Sequence, residues 1–156
     1  MSDSFSDLRD LYQEVILDHG RKPRHGQRLA QFDASAKGDN PMCGDRVQVF
    51  VQTKGDTIDA VGFEARGCAI SVASADLMAE AVQGRRKNDA RALFAAFRDM
   101  VRTGTCPHCD AAMAKPLERL ASLSGVHEYP SRVKCATLPW HALVAALDGA
   151  EDTSSE

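Results

Sequence analysis

The chain of 156 residues is about the size of one domain and is long enough to bury a hydrophobic core. Its net charge of −3 gives no electrostatic footprint for nucleic acid or an anionic membrane. No apolar run approaches the roughly 20 residues of a membrane-spanning helix. The acidic, polar N-terminus is unlike a secretory signal or a transit peptide, so we expect a cytoplasmic protein with no nucleic-acid or membrane partner.

The first predicted element is a helix from Phe5 to His19, where apolar residues recur at spacings of three and four before Gly20 ends the pattern. A basic loop from Arg21 to His25 follows. It is either a solvated connector or a docking patch for an acidic partner or an anion, and the sequence favours neither interpretation.

Strands are predicted next. Apolar residues occupy every second position from Val47 to Val51 and again from Val61 to Ala65, and the turn from Lys54 to Thr57 joins the two runs as an antiparallel hairpin. The stretch from Gln31 to Lys37 is expected to add a third strand. Because an alternating strand buries only one face, another layer must cover this sheet.

Four further helices are predicted from apolar periodicity. They cover Ala69 to Val82, Ala90 to Val101, Ala111 to Leu123, and Arg132 to Leu147. Pro139 must either kink the last helix or mark a late start, and Trp140 is interpreted as a packing residue. The fold class is therefore α+β, with a small antiparallel three-stranded sheet packed against about five helices. We expect one domain over residues 1–149 and a disordered acidic tail over residues 150–156.

Three dispersed cysteines and one aspartate form the most informative pattern: Cys43, Asp45, Cys68 and Cys135. A hairpin returns the chain to its starting end, so the sites of Cys43 and Cys68 should be close in space. Cys135 follows 67 residues after Cys68, and only the tertiary fold could bring it there. Three thiols and a carboxylate suit one four-ligand site for zinc or iron, whether structural or used to handle sulfur.

Three ordered segments resemble the signatures of the SufU/IscU (NifU-like N-terminal) family of iron–sulfur cluster assembly proteins. They are Asn40-Pro41-Met42-Cys43-Gly44-Asp45, Gly67-Cys68-Ala69-Ile70-Ser71-Val72-Ala73-Ser74-Ala75, and Arg132-Val133-Lys134-Cys135-Ala136-Thr137-Leu138. The opening helix and loop are similar to the family's own, so the resemblance spans about residues 8 to 147. Lys134 stands where IscU scaffolds carry a histidine, which places the chain on the SufU branch.

The resemblance implies a SufE/NifU-like fold and one zinc ion bound by Cys43, Asp45, Cys68 and Cys135. It also implies that Cys43 accepts sulfane sulfur from a SufS-like, PLP-dependent cysteine desulfurase, with Arg132 supporting the transfer. The leading expectation is a zinc-dependent sulfurtransferase of the SUF system that feeds a downstream cluster-assembly complex. The alternative is a non-enzymatic scaffold on which the iron–sulfur cluster is itself assembled by the same ligands.

Cys106-Pro107-His108-Cys109 departs from the family pattern. A Cys-x-x-Cys pair permits a redox or sulfur-relay role, half of a second metal site, or an exposed loop without function. A redox protein acting through Cys106 and Cys109 is therefore a third, less favoured function.

Overall fold

The computed structural model describes residues 13–40, 44–104, 117, 120–149 and 152–154. Helix α1 covers 13–21 of this range, so the first part of the helix expected from Phe5 lies outside the described residues. Val15 and Ile16 pack against the hydrophobic core, as their spacing predicts. No helix among the described residues has the length and apolarity that a membrane span requires.

The predicted sheet is confirmed, with strands β1 (Ala34–Asn40), β2 (Asp45–Lys54) and β3 (Thr57–Arg66). All three are antiparallel neighbours, with β2 in the centre, and Val49 of β2 lies opposite Ala36 on one side and Phe63 on the other. The first strand begins and ends three residues later than predicted. The tight hairpin turn contains Gly55 at φ +62°, a conformation that favours glycine.

The helical layer consists of α2 (Ala69–Val82), α3 (Lys87–Thr103), a 3-10 helix (Ala121–Glu128) and α4 (Pro130–Leu147). The predicted bounds of α2 are confirmed. The third helix extends past both predicted ends and stops at Gly104, whose φ of +80° is typical of a helix C-cap. Of the helix expected from Ala111 to Leu123, residues 111–116, 118 and 119 lie outside the described residues, and its end is a 3-10 helix.

Helix α4 packs across the inner face of the sheet. A Cβ built on Gly38 of β1 would lie 3.0 Å from Leu138 and 3.4 Å from Ala142, so the helix and strand backbones approach closely here. Pro139 lies well inside the helix rather than at its start, and it cannot donate a hydrogen bond to the carbonyl one turn earlier. Trp140 is fully buried and stacks on Phe97 at 5.0 Å, which confirms its packing role.

Residues 152–154 differ from the prediction of a disordered tail over residues 150–156, and the other four residues of that range lie outside the described residues. Asp152–Ser154 form a short strand, β4, parallel to β1, with Thr153 in register with Gly38. The edge of β1 otherwise presents unpaired backbone donors and acceptors, and a strand of any polar composition can satisfy them. Composition alone therefore did not reveal this pairing.

The outer face of the sheet is covered at one end and open at the other. Phe50 is fully buried there under Arg28 and Phe32 of the loop after α1. The same loop crosses β3 at Gly62, where an added Cβ would meet the Gln27 carbonyl oxygen at 2.4 Å. Beyond this loop, towards the end of the sheet that carries Asp45, the outer face bears exposed charged residues.

Candidate metal centre

Three of the four residues that the sequence singled out come together at one end of the sheet. Asp45 is the first residue of β2, Cys68 is the N-cap of α2, and Cys135 lies in the second turn of α4. One ligand atom from each lies within 4.8 Å of the other two. Tertiary folding thus brings Cys135 to a site that the hairpin alone could not complete.

The Asp45 carboxylate is buried and is tied to the start of α2. Its Oδ1 accepts a hydrogen bond from the Cys68 backbone N–H at 2.9 Å, while Oδ2 lies 3.8 Å from the Cys68 sulfur. A buried carboxylate is costly unless it is hydrogen-bonded or bound to a cation. One oxygen is thus held by the helix N-terminus, and the other is directed towards the thiols.

Gly67 makes this arrangement possible. Its φ of +147° lies in the region that glycine favours, and a Cβ at this position would be 2.0 Å from Asp45 Oδ1. The chain therefore reaches Cys68 only because residue 67 has no side chain. The glycine before the second cysteine, which the sequence showed only as part of a signature, is needed for the position of the carboxylate.

Cys135 is fully buried, and its sulfur has two polar neighbours. The Asn40 side-chain amide lies 3.9 Å from the sulfur, and the Ser131 carbonyl oxygen one turn earlier lies 3.5 Å from it. Asn40 is itself buried at the end of β1, directly opposite Asp45. An amide donor beside a sulfur stabilises negative charge on it, as a thiolate ligand requires.

The structure locates the other candidate residues differently. Cys43, Cys106 and Cys109 lie outside the described residues. The segment that contains Cys43 is bounded by a hydrogen bond from the Gly44 N–H to the Asn40 carbonyl at 2.8 Å. Arg132 is exposed in the first turn of α4, and Lys134 is partly buried next to Cys135.

The donor set fits a tetrahedral metal ion. Two sulfurs and one carboxylate oxygen are ligands typical of zinc, and cysteine sulfur also holds iron–sulfur clusters. A sulfur at about 2.3 Å and a carboxylate oxygen at about 2.1 Å from one tetrahedral zinc ion are about 3.6 Å apart, close to the 3.8 Å between Cys68 Sγ and Asp45 Oδ2. Within the described part of the chain, no histidine joins this group.

A second buried polar contact was not predicted. The His19 ring hydrogen-bonds to the Asp76 carboxylate in α2, and both residues are almost completely buried. The other Asp76 oxygen accepts a hydrogen bond from the His25 backbone N–H at 2.8 Å. These contacts hold the end of α1 and the following loop against α2, the helix that begins at Cys68. Separation by 57 residues hides the pair from local sequence patterns.

With this geometry established, comparison with known proteins identifies the family. The model of the NifU-like N terminal domain matches residues 11–136. The chain belongs to this family. The chain is 37% identical to the iron-sulfur cluster assembly scaffold protein IscU of Streptococcus pyogenes serotype M1, over 92% of this chain and 87% of that protein. It is 35% identical to the zinc-dependent sulfurtransferase SufU of Bacillus subtilis, over 88% and 90% respectively.

A solved structure supports the same family. A protein described as an iron-sulfur cluster assembly scaffold for the SUF system, from Fervidobacterium islandicum, superposes with a TM-score of 0.78 at 32% identity. The match covers 89% of this chain and 98% of that one. The resemblance inferred from the three signatures is thereby confirmed, and the chain is a member of the IscU/SufU group of iron–sulfur cluster assembly proteins.

Proposed function

We propose that this NifU-like protein is a zinc-dependent sulfurtransferase of SUF-type iron–sulfur cluster assembly. Its donor would be a SufS-like, PLP-dependent cysteine desulfurase, and a downstream cluster-assembly complex would receive the sulfur. The observation that carries the proposal is the meeting of Asp45, Cys68 and Cys135 within 4.8 Å. Cys43, two residues before Asp45 in the sequence, is the fourth ligand and the sulfur acceptor.

Zinc, when bound, keeps its thiolate ligands deprotonated and carries no redox chemistry of its own. Once it is no longer held by zinc, the Cys43 thiolate would attack the terminal sulfur of the desulfurase persulfide. The persulfide S–S bond breaks, the desulfurase cysteine leaves as a thiolate, and a new persulfide forms on Cys43. Electrons balance without an external oxidant or reductant.

The residues around the site support this role. The Asp45 oxygen is a harder donor than a thiolate, so a site that includes it exchanges a ligand more readily than four sulfurs would. Arg132 lies one turn before Cys135 and is exposed, where its guanidinium can stabilise an incoming anionic persulfide. Its supporting role in transfer is part of the proposal.

The alternative is a scaffold that assembles an iron–sulfur cluster on the same ligands, as the name of the Streptococcus relative describes for that protein. Lys134 favours sulfur transfer. It immediately precedes Cys135 and offers an ammonium group, where a cluster scaffold would be expected to have an imidazole ligand.

Purification without oxygen, followed by metal analysis and a desulfurase assay, tests the two functions. One zinc per chain together with stimulated sulfide release supports transfer, and a visible-absorbing iron cluster without stimulation contradicts it. Cys43→Ser should abolish persulfide on this chain. The double variant Cys106→Ser/Cys109→Ser is the matched control and should retain transfer, whereas loss of transfer in it would contradict Cys43 as the sole sulfur acceptor.

A further inference from the structure

Two arginines face each other across the hairpin beside the metal centre. Arg46 of β2 and Arg66 of β3 are direct register partners, and both are exposed on the outer face of the sheet. Like charges directly opposite each other on antiparallel strands are destabilising. The two cations therefore repel each other beside the candidate metal centre, with Arg46 next to Asp45 and Arg66 two residues before Cys68.

Nearby acidic residues compensate this pair only weakly. Arg46 lies 3.6 Å from Asp39, and the side chains of the two are 78% and 56% exposed. An ion pair at that length and exposure contributes little. Arg66 forms no ion pair with any residue that the structure describes. Both guanidinium groups are therefore available to an external anion.

The arginines border a groove of about 570 Å³ on the open end of the outer face. Its charged lining consists of the cations Lys37, Arg46 and Arg66 and the acids Asp39 and Glu64. The groove is shallow and open, so it suits a protein surface better than a small ligand that needs an enclosed pocket. Its position places any partner bound there next to the metal centre.

The sequence around the three ligands is cationic throughout. Every other charged residue within three positions of Asp45, Cys68 or Cys135 is basic, namely Arg46, Arg66, Arg132 and Lys134. The whole chain, by contrast, has a net charge of −3. The sequence neighbours of the three candidate ligands are thus basic, and the groove lining has three cations against two acids, a net positive charge that favours the approach of a negatively charged surface.

The basic loop from Arg21 to His25, the other docking candidate in the sequence, is less available. The Arg24 guanidinium donates to Asp18 at 2.6 Å, and this contact lowers the pKa of the Asp18 carboxyl below its usual value. The His25 backbone N–H is bound to Asp76. Part of this loop therefore serves to hold the chain together.

We propose that Arg46 and Arg66 form a docking site for an acidic surface segment of the cysteine desulfurase. The inference rests on the proposed function, and it names the face of this protein that the sulfur donor contacts. Carboxylates of the partner would pair with each guanidinium group and reduce the electrostatic repulsion between the two arginines. The contact would hold the donor's persulfide at the end of the sheet where Cys43 precedes Asp45.

Charge reversal of both arginines, Arg46→Glu/Arg66→Glu, tests the proposal. The matched control is Lys54→Glu, an exposed reversal on the same strand at the opposite end of the sheet. Binding of the purified SufS-like desulfurase from the same organism is measured at low and high salt, with zinc content measured in parallel. We expect the double variant to retain zinc and to bind at least about tenfold more weakly at low salt, and Lys54→Glu to bind within about twofold of wild type.

The conservative variant Arg46→Lys/Arg66→Lys should retain most of the binding and its salt dependence. The docking site would be overturned if Arg46→Glu/Arg66→Glu bound the desulfurase with wild-type affinity, or if Lys54→Glu lost as much affinity as the double variant. Sulfur transfer at the wild-type rate would still support the proposed function in either case. Wild-type binding without any sulfur transfer to Cys43 would overturn the proposed function but not the docking site. Weakened binding of free phosphate alone, with desulfurase binding intact, would show a small-anion site and contradict the proposal.

Discussion

Gly67→Ala should displace the Asp45 carboxylate of the candidate metal centre without changing any candidate ligand residue. The new Cβ would lie 2.0 Å from Asp45 Oδ1, whereas real Cβ contacts essentially never fall below 3.0 Å. The carboxylate must therefore move by about 1 Å or more, since the backbone of residue 67 is fixed between β3 and α2. That displacement breaks the hydrogen bond from the Cys68 N–H, which is 2.9 Å long in the wild-type geometry.

The energetic cost of Gly67→Ala has two parts. A non-glycine residue at φ +147° costs about 1–3 kcal/mol in backbone strain. The lost hydrogen bond to the buried carboxylate costs about 1–3 kcal/mol more. We therefore expect a loss of about 2–6 kcal/mol in the free energy of unfolding, together with weaker metal binding.

Zinc affinity, measured by competition with a chromogenic chelator, is the deciding assay. Gly67→Ala should match Asp45→Ala in affinity, because both remove the same oxygen ligand. Gly55→Ala is the control for backbone strain alone, since Gly55 has φ +62° but no atom near its Cβ. It should lose stability and retain zinc. Wild-type zinc affinity in Gly67→Ala would refute the reasoning.

Three further predictions concern stability. Asp76→Ala leaves His19 without its buried carboxylate partner. Urea denaturation should therefore show a loss of about 2–5 kcal/mol in the free energy of unfolding, and a loss below about 1 kcal/mol would contradict the role of this contact. Gly62→Ala places a Cβ 2.4 Å from the Gln27 carbonyl, so limited proteolysis should cut the covering loop faster than in wild type. Burial lowers the pKa of His141 below its ordinary value of 6.5, and Arg98 and Arg102 lower it further by smaller amounts. The unfolded state therefore binds more protons than the folded state, so the free energy of unfolding should fall as the pH drops below about 6.5. His141→Gln should flatten that part of the pH–stability profile, and an unchanged profile would exclude His141 as the cause.

Local patterns predicted most of the elements. The bounds of α2 agree with the prediction because Gly67 and Cys68 end the hairpin and the apolar spacing then runs without interruption to Val82. The strands β2 and β3 were predictable because their inner face is largely buried while the outer face is buried only under the loop after α1, so inward-facing apolar residues recur with a period of two. Where a segment's state depends on distant partners, as with Asp152–Ser154 on β1, composition predicted the wrong conformation.

Some features of the candidate metal centre were likewise predictable from the sequence, and others were not. The sequence by itself determined the candidate ligand types and their family signatures. It also predicted that the sites of Cys43 and Cys68 lie close together, since a hairpin returns the chain to its starting end, and Asp45, two residues after Cys43, does lie beside Cys68. Only the tertiary structure decided that Cys135 joins them, because α4 must pack across the inner face of the sheet to bring its second turn to that end. The contacts of Gly67 with Asp45 and of His19 with Asp76 were likewise decided by packing, since such distances depend on elements far apart in the chain.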